Sequence, residues 1–317
     1  MSCYGHLTIN ERESILVMKE KSMTMREIGS AIGRSASTIS RELRRNSRPR
    51  AGYSASYAQE AYWKRRSRCQ RSRRLRSGET RETVLSLLNA YWSPEQISQR
   101  LRREGGAIQL GVSTIYRAIE SGLLPRGIKK KLRTRPYHKP SGGRTGKLSV
   151  PHNIRERPEA ANQRKEIGHW ESDTVRGSRH SGYIVTQVDR KSRYLVAVKI
   201  PDGRSETFMQ ATIAAMRGIP VKTFTTDNGK EFAAHELLTR TFGAEVYFCD
   251  PSAPGQRGTN ENTNGLLRQF FPKRSSFAKV SQSDVDRAVM LLNSRPRKCL
   301  QWETPQEVFL RELLHLG

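Results

Sequence analysis

The 317-residue sequence predicts two kinds of structure in one chain: an all-α first part built from helix-turn-helix units, then an α/β part in which helices flank a mixed sheet. Two observations predict this division. Helix-capping motifs repeat before short amphipathic stretches in the first half. The second half begins with three consecutive β-rich segments and then alternates helix with strand. The length leaves room for two or three domains, each with its own core.

Two capping boxes mark the first helices. Thr8 and Glu11, and again Thr24 and Glu27, have the spacing at which a hydroxyl and a carboxylate satisfy each other's free backbone amides. The second box opens a short amphipathic helix that ends at a Gly-Arg-Ser turn, and a further helix is predicted over residues 35–45. This pattern is typical of a helix-turn-helix, although an ordinary solvated helical hairpin has the same spacing.

The helix over residues 35–45 has a polar and basic outer face, as a recognition helix would. Side chains near its start are expected to contact base edges, and the arginines around them to contact phosphates. The base contacts that we predict are Ser37, Thr38 and Arg41, and the other DNA-contacting candidates are Arg34, Arg44 and Arg45.

A second unit repeats this pattern more loosely. Residues 113–117 (STIYR) resemble residues 37–41 (STISR), and a Ser-Pro-Glu-Gln capping motif begins a helix at 93–96. The connection between the two helices is longer here, so the unit is either a second helix-turn-helix, which we favour, or a helical scaffold. Its candidate DNA contacts are Ser113, Thr114 and Arg117.

The charge distribution favours a polyanionic partner, most simply nucleic acid. The chain has a formal net charge of +27, of which residues 1–150 contribute +21 and residues 151–317 contribute +6. Residues 60–76 are rich in arginine, and they either contact nucleic acid or form a solvated helix face. The stretch after the second unit mixes Lys and Arg with Pro and Gly and is predicted to be an extended linker. In it Lys129, Lys130 and Lys131 are expected to contact phosphates without sequence preference.

Several classes of protein are excluded by the same sequence. No apolar run is long enough for a membrane helix, and the first residues do not have the pattern of a secretory signal. No glycine-rich nucleotide or dinucleotide motif is present. The cysteines form no CxxC pair, which argues against a zinc ribbon or a disulfide framework and suits a cytoplasmic protein. They are Cys3, Cys69, Cys249 and Cys299.

The second half predicts the elements of the mixed sheet in order. Strands are expected at 169–175, 183–190, 194–200, 221–226 and 244–249, and helices at 205–217, 230–242 and 259–270. A last capping box at 304–307 predicts a C-terminal helix that packs on this core or on a partner subunit. The predicted domains are 1–50 and 51–125 (helical units), 126–155 (basic linker), 156–275 (α/β domain) and 276–317 (C-terminal helices).

Three acidic residues form the candidate catalytic and metal-binding site. Asp173 lies in the first strand, Asp227 follows the fourth strand, and Glu261 lies in the first turn of a later helix, so all three can reach one edge of the sheet. Converging carboxylates repel one another unless cations share the site, and oxygen ligands favour Mg²⁺. Two such ions, with Mn²⁺ as a substitute, can drive phosphodiester displacement by water or a DNA 3′-hydroxyl.

Each acid also has a structural alternative. Asp227 precedes an Asn-Gly turn, where aspartate is common, and Glu261 would favour the helix dipole. Glu171 and Asp189 compete with Asp173 for the role in the first strands. Arg268 lies two helical turns after Glu261, hence on the same face, and is the candidate cation for the DNA strand being cut.

At these residues the chain resembles the insertion-sequence transposases of the IS-thirty family. The matching segments are GHWESDTVRG (168–177), TTDNGKEF (225–232), PGQRGTNENTNGLLRQFFPK (254–273), LNSRPRKCLQWETPQEVF (292–309) and REIGSAIGRSASTISRELRRN (26–46). The resemblance implies a ribonuclease H-like catalytic domain, a DDE triad at Asp173, Asp227 and Glu261, and a basic residue at Arg268.

The same resemblance implies an activity. It implies binding to the terminal inverted repeats of the element as double-stranded DNA, a magnesium requirement, and 3′-end cleavage followed by strand transfer. Because two DNA ends must be joined, we expect a homo-oligomer on DNA, in the nucleoid of a prokaryotic cytoplasm. The alternatives are a sequence-specific regulator with a catalytically silent second domain, and a metal-dependent nuclease that cuts DNA without joining it.

Overall fold

The structure, a computed structural model, describes residues 5–68, 75, 78–133, 152–250 and 253–315. The chain divides into two compact units, Met1–Arg74 and Leu75–Gly317. The first contains the first predicted helix-turn-helix, and the second contains both the second helical unit and the α/β part. The finer domain boundaries expected from the sequence fall inside these units and stay predictions.

The first unit is a small helical domain with a short hairpin. Both capping boxes form as predicted, from Thr8 and from Thr24. One isoleucine from each of the first three helices is fully buried in the shared core: Ile15, Ile28 and Ile39. The elements are α1 (Ile9–Glu20), α2 (Met25–Ala31), α3 (Ala36–Asn46), β1 (Ser47–Arg48), β2 (Gly52–Tyr53) and α4 (Ala55–Arg68).

The second unit begins with four helices around their own apolar cluster. They are α5 (Glu79–Asn89), α6 (Pro94–Arg103), α7 (Val112–Glu120) and α8 (Ile128–Lys131). The capping box of Ser93 and Gln96 forms at the start of α6, as predicted. The expectation of an extended linker is wrong for residues 128–131, which form the one-turn helix α8, because the buried Ile128 and the half-buried Leu132 anchor this segment to the cluster. The linker after residue 133 lies outside the described residues until 152.

A five-stranded mixed sheet forms the centre of the second unit. Its spatial order is β5-β4-β3-β6-β7, with antiparallel pairing from β3 to β5 and parallel pairing of β3 with β6 and β6 with β7. The elements are α9 (Glu159–Gln163), β3 (His169–Arg176), β4 (Tyr183–Asp189), β5 (Leu195–Ile200), α10 (Ser205–Ala215), β6 (Thr223–Thr226), α11 (Glu236–Phe242), β7 (Glu245–Phe248), α12 (Gly258–Leu267), α13 (Gln282–Asn293) and α14 (Pro305–Leu314).

Apolar clusters cover both faces of this sheet. On one face Trp170, Phe208 and Phe224 are fully buried, and on the other Leu267, Phe277 and Leu292 are. Every strand predicted from the sequence is present. The helix predicted over 230–242 is interrupted, because the chain forms a 3₁₀ turn at Lys230–Phe232 and the Ser205 hydroxyl then accepts the amide hydrogen of Ala234.

The C-terminal helices connect the sheet to the second helical unit. The predicted capping box of Thr304 and Glu307 begins α14. Arg100 of α6 forms an ion pair with Glu307 at 2.5 Å, and Arg103 with Glu303 at 2.5 Å. The second helical unit is therefore held against the α/β half by charged contacts. Within the described ranges, no helix has both the length and the apolar character to cross a bilayer.

Candidate active site

The register of two parallel strands brings two of the predicted acids to one sheet edge. Glu171 of β3 pairs with Thr225 of β6, so continuing both strands by two residues places Asp173 opposite Asp227. Asp227 follows directly after β6, and its Oδ1 accepts the amide hydrogen of Gly229. A Cβ at position 229 would come within 3 Å of the carboxylates of Asp227 and Glu231, so another residue there would require these two side chains to shift.

A single guanidinium joins these two aspartates. Arg257, just before α12, donates to Asp227 Oδ2 at 2.7 Å and lies 3.4 Å from Asp173 Oδ1. Burial acts to lower the pKa of Arg257, but the charges of Asp173 and Asp227 outweigh it and raise that pKa. In Asp173 the effect of burial dominates and raises the carboxyl pKa, with Arg257 opposing it and Asp227 adding to it.

Asp173 has two further contacts that fix its position. Its Oδ1 accepts the amide hydrogen of Thr174 at 2.8 Å, and its Oδ2 accepts from the Asn264 side chain at 2.9 Å. The Thr174 hydroxyl in turn donates to Glu231 Oε1 at 3.1 Å. Asp173 is thus a preorganised carboxylate with about a quarter of its side chain exposed.

The two competing acids of the first strands have structural partners instead. Glu171 is buried, pairs with Arg190, and accepts from the backbone amide of Asn260 at 2.8 Å. It therefore holds the start of α12 against β3. Asp189 is buried and accepts hydrogen bonds from Ser192 and from the amide of Gly168, which closes a turn.

Glu261 faces a cleft that also contains Asp173. It lies in the first turn of α12 with an exposed side chain. The cleft has a volume of about 860 Å³ and is lined on the α12 side by Glu261, Asn264, Gly265 and Arg268. Arg268 donates to the carbonyl of Arg176 at the end of β3, at 2.9 Å. The sequence prediction that Glu261 and Arg268 share one helix face is confirmed.

The carboxylates of this site are suited to binding a hard cation, but Glu261 is not gathered with Asp173 and Asp227. Carboxylate oxygens are the ligands that Mg²⁺ prefers, and here a guanidinium carries the positive charge between Asp173 and Asp227. Among the residues that the structure describes, no three His, Cys, Asp or Glu side chains are gathered closely enough to hold a metal ion. The side-chain geometry therefore brings together two acids and places Glu261 in the adjoining cleft.

Comparisons with known proteins agree with this architecture. The helix-turn-helix domain family matches residues 3–46, and the integrase core domain family matches residues 163–254. The transposase InsI for insertion sequence element IS30A of Escherichia coli K12 is 39% identical over 97% of this chain and 84% of its own length. The transposase for insertion sequence element IS1086 of Cupriavidus metallidurans is 35% identical over 98% of this chain and 96% of its own.

The chain belongs to the IS30 family of transposases. The predicted ribonuclease H-like fold class is confirmed with it. Among solved structures, the catalytic core domain of BIV integrase aligns with 19% identity and a TM-score of 0.38, over 47% of this transposase and 97% of that chain. The integrase core match includes Asp173 and Asp227 and ends before Glu261.

Sequence reasoning on this transposase missed three residues of the site. Arg257 lies in the PGQRGTNEN segment that carried the resemblance, but no role was assigned to it. Asn264 is three residues after Glu261, a spacing that places both on one helix face. Glu231 lies in the TTDNGKEF segment that also carried the resemblance, but its contact with Thr174 depends on the 3₁₀ turn after Asp227, which the sequence did not predict.

In the first unit of the transposase, the predicted recognition helix presents the expected side chains. On α3, Ser37, Arg41, Arg44 and Arg45 are exposed and Thr38 is half-buried. The Arg41 Nε donates to the carbonyl of Ser37 at 3.1 Å, which orients its guanidinium along the helix. Arg34 is different: it forms a 2.9 Å ion pair with Glu11, so its charge is already partly compensated.

The second helical unit repeats this arrangement on α7. The Arg117 Nε donates to the carbonyl of Ser113 at 3.2 Å, as Arg41 does to Ser37. Ser113 and Arg117 are exposed, and Thr114 is half-buried. On α8, Lys129 is exposed, Lys130 lines the cleft that contains Asp173 and Glu261, and Lys131 donates to Asn89 and lies over the Tyr91 ring.

Proposed function

We propose that this transposase uses Asp173, Asp227 and Glu261 as a DDE triad that catalyses metal-dependent 3′-end cleavage and strand transfer. The observation that carries the proposal is the parallel register of β3 and β6, which sets two of these acids opposite each other at one sheet edge. Carboxylates so close repel each other unless a cation lies between them. Arg257 meets that requirement here, and an ion would compete with it for the same oxygens.

Magnesium is the ion that this donor set would take, with manganese as a substitute, because all the ligands are carboxylate oxygens. When bound, a pair of such ions activates the attacking oxygen and stabilises the leaving oxygen of a phosphodiester. The protein itself positions the carboxylates that would bind the ions. Asp173 is fixed by Thr174 and Asn264, whereas Glu261 is exposed and its rotamer is free to adjust.

The DNA would be bound through basic residues of both units. We assign recognition of the terminal inverted repeats to the outer faces of α3 and α7. Around the acids, the cleft is lined by Lys130, Arg268 and Lys273, which would hold phosphates of the strand being cut. Because two ends must be joined, more than one copy of the chain would assemble on paired ends.

A strand-transfer assay with Mg²⁺ tests the proposal. Pre-cut element ends are incubated with a target plasmid and with the wild type, Asp173→Asn, Asp227→Asn or Glu261→Gln. We expect each carboxylate variant to keep end binding and to lose joined product by at least a hundredfold, the scale of removing a group that acts on the transition state. Glu236→Gln, an exposed acid of α11 outside the cleft, is the matched control and should keep activity.

The outcomes separate this proposal from its rivals. If Asp173→Asn leaves both DNA affinity and joined product unchanged, the carboxylates are not catalytic. If the wild type cuts DNA but never joins pre-cut ends, the chain is a nuclease. If the wild type binds element ends yet neither cuts nor joins, it acts as a regulator.

A further inference from the structure

Helix α12 separates the catalytic cleft from a second, smaller cavity. At 3.6 residues per turn, Glu261, Asn264 and Arg268 lie on one face, and Thr259, Asn262 and Thr263 lie on the opposite face. The second cavity has a volume of about 160 Å³ and is lined by Arg164, Arg193, Gly258, Thr259, Asn262, Thr263, Arg297 and Cys299. We call it the arginine cavity.

Three arginines from distant parts of the chain converge on this cavity. Arg164 follows α9, Arg193 lies in the turn between β4 and β5, and Arg297 lies between α13 and α14. None of the lining residues is acidic, and no Asp or Glu of the described ranges is within ion-pair distance of any of the three guanidinium groups. The cavity is therefore a concentration of positive charge that no acidic side chain of the described ranges contacts; Glu171, which is paired with Arg190, acts on Arg164 only from beyond ion-pair distance.

Arg297 is a cavity-lining arginine with an unpartnered buried nitrogen. Its side chain lines the cavity although the residue is only 9% exposed. One nitrogen, Nη2, donates to the carbonyl of Leu292, but Nε has no partner. Burial lowers the pKa of Arg297 to about 10. Nε is itself shielded from solvent, so Arg297 would act on an anion in the cavity through its positive charge, which pairs with no acidic side chain among the described residues.

The polar side chains of α12 complete a site for an oxyanion. The Thr259 hydroxyl accepts from Arg193 Nη1 at 2.7 Å, which leaves its own hydrogen for a further acceptor. Asn262 contributes an exposed amide at the rim. Guanidinium groups and hydroxyls are the donors with which proteins bind phosphate. The cavity volume of 160 Å³ corresponds to about five water molecules, which is enough for a phosphate group and some solvent.

We propose that the arginine cavity binds a backbone phosphate of DNA, as a strand contact distinct from the catalytic cleft. The assignment to DNA rests on the proposed function. An α-helix with its side chains is about 10–12 Å across, roughly the rise of three base pairs, so one duplex can reach both sides of α12. A bound phosphate would also brace the helix that carries Glu261.

Cys299 provides a local readout because its exposed thiol lines the cavity. The full chain is treated with iodoacetamide, a neutral reagent, and alkylation of the Cys299 peptide is followed by mass spectrometry. A 30-base-pair duplex of unrelated sequence should slow this alkylation at least fivefold, and millimolar inorganic phosphate should slow it more weakly. No protection by a saturating duplex would overturn the proposal. Protection by phosphate but not by duplex would overturn the assignment to DNA.

Arg164→Gln tests the guanidinium groups without disturbing the core, since Arg164 is exposed. This variant should lose the protection of Cys299 and lower the slope of log affinity against log salt by about 1. Arg217→Gln removes one positive charge from an exposed position outside the cavity and should change neither. If the two variants showed the same Cys299 protection and the same salt slope, phosphate binding in the arginine cavity would be contradicted.

The same experiment in an Asp173→Asn background keeps this proposal apart from the catalytic one. Protection of Cys299 should persist there, because the cavity does not involve the acids. If Asp173→Asn still joins DNA ends, the proposed chemistry fails while the arginine cavity stands. If protection is absent in a protein that joins ends normally, the cavity is not a strand contact.

Discussion

Arg257 supplies the positive charge that lets Asp173 and Asp227 lie at one sheet edge. Its guanidinium is within 3.4 Å of both carboxylates and is largely shielded from solvent. Charge pairs of this kind are costly to break from one side, because the remaining charge is left partly buried. The residue thus has a structural role in the metal-free protein that an ion would take over.

Arg257→Gln should consequently destabilise the protein most when no divalent ion is present. We expect a loss of about 1–3 kcal/mol in EDTA, less than for a fully buried pair because Asp227 is 40% exposed. Addition of Mg²⁺ should stabilise this variant more than the wild type, since the ion no longer competes with the guanidinium. Thermal unfolding with and without Mg²⁺ measures both effects, and Arg240→Gln, from an exposed pair, is the control. An identical Mg²⁺ response in variant and wild type would contradict the competition.

Asp173→Asn should change the stability of the metal-free protein in a pH-dependent way, with a free energy of unfolding that rises relative to the wild type as the pH rises. Burial raises the carboxyl pKa of Asp173, so the folded state holds its proton more tightly than the unfolded chain does. The ionised carboxylate therefore costs stability, and this cost appears as the pH rises above the unfolded value near 3.8. Asparagine avoids the cost, so the difference in unfolding free energy should grow from pH 4 upward and then level off.

Denaturant unfolding in EDTA at a series of pH values measures this difference. Each kcal/mol gained would raise Tm by about 2–4 °C in a domain of 150–250 residues. Asp286→Asn, at an exposed position of α13, controls for the loss of one acidic group. A wild type that gains stability over Asp173→Asn as the pH rises would reverse the expected sign.

At the scale of elements, the sequence predicted the sheet well because its strands are short β-branched runs that end at clear turns. Since β3 and β6 are neighbours and parallel, the approach of Asp173 and Asp227 follows from the position of Asp173 within β3 and of Asp227 directly after β6. The break in the predicted 230–242 helix was not predictable, because it depends on Ser205, a side chain far along the chain. Arg257 was missed for the same reason: its partners are distant in sequence.

The contact between α6 and the C-terminal region was likewise not predictable from local patterns. Glu303 forms ion pairs with Arg311 of α14 at 2.7 Å and with Arg103 of α6 at 2.5 Å. Hydrogen bonds from Arg311 and then from Arg103 lower the pKa of Glu303 to about 2, against the opposing effect of burial. One carboxylate thus ties the second helical unit to the catalytic half.

Glu303→Gln should weaken the contact between α6 and the C-terminal region and remove the pH dependence that Glu303 gives to the free energy of unfolding. A depressed carboxyl pKa contributes stability that is present above the unfolded value of 4.5 and is lost as the pH falls toward 2. At pH 7 we expect a loss of about 1–3 kcal/mol, and at pH 2 most of this deficit should be gone because the pH has then reached the folded pKa of Glu303. Chemical unfolding at both pH values measures this, with Glu236→Gln as the exposed control. A deficit of the same size at both pH values would show that the loss is not electrostatic.

At the scale of the whole molecule, positive charge is spread unevenly along the chain. Residues 1–150, with a net charge of +21, contain both candidate recognition helices and the exposed Lys129. Residues 151–317 are closer to balance, at +6, and five of their basic residues line the cleft or the arginine cavity: Arg164, Arg193, Arg268, Lys273 and Arg297. Sequence recognition and general attraction to DNA are therefore expected from different side chains.

Arg41→Ala and Lys129→Ala should separate these two contributions. Arg41 is exposed on α3 and its guanidinium is of the kind that contacts a base in bidentate fashion, so its loss should cost about 1–3 kcal/mol on the element ends and little on unrelated DNA. Lys129 is exposed on α8 and offers only a point charge, so its loss should weaken all sequences alike and lower the salt slope by about 1. Titrations of both duplexes at several salt concentrations measure the two effects. Equal losses on both DNAs from both variants would mean that α3 does not read sequence, and recognition would then have to come from α7.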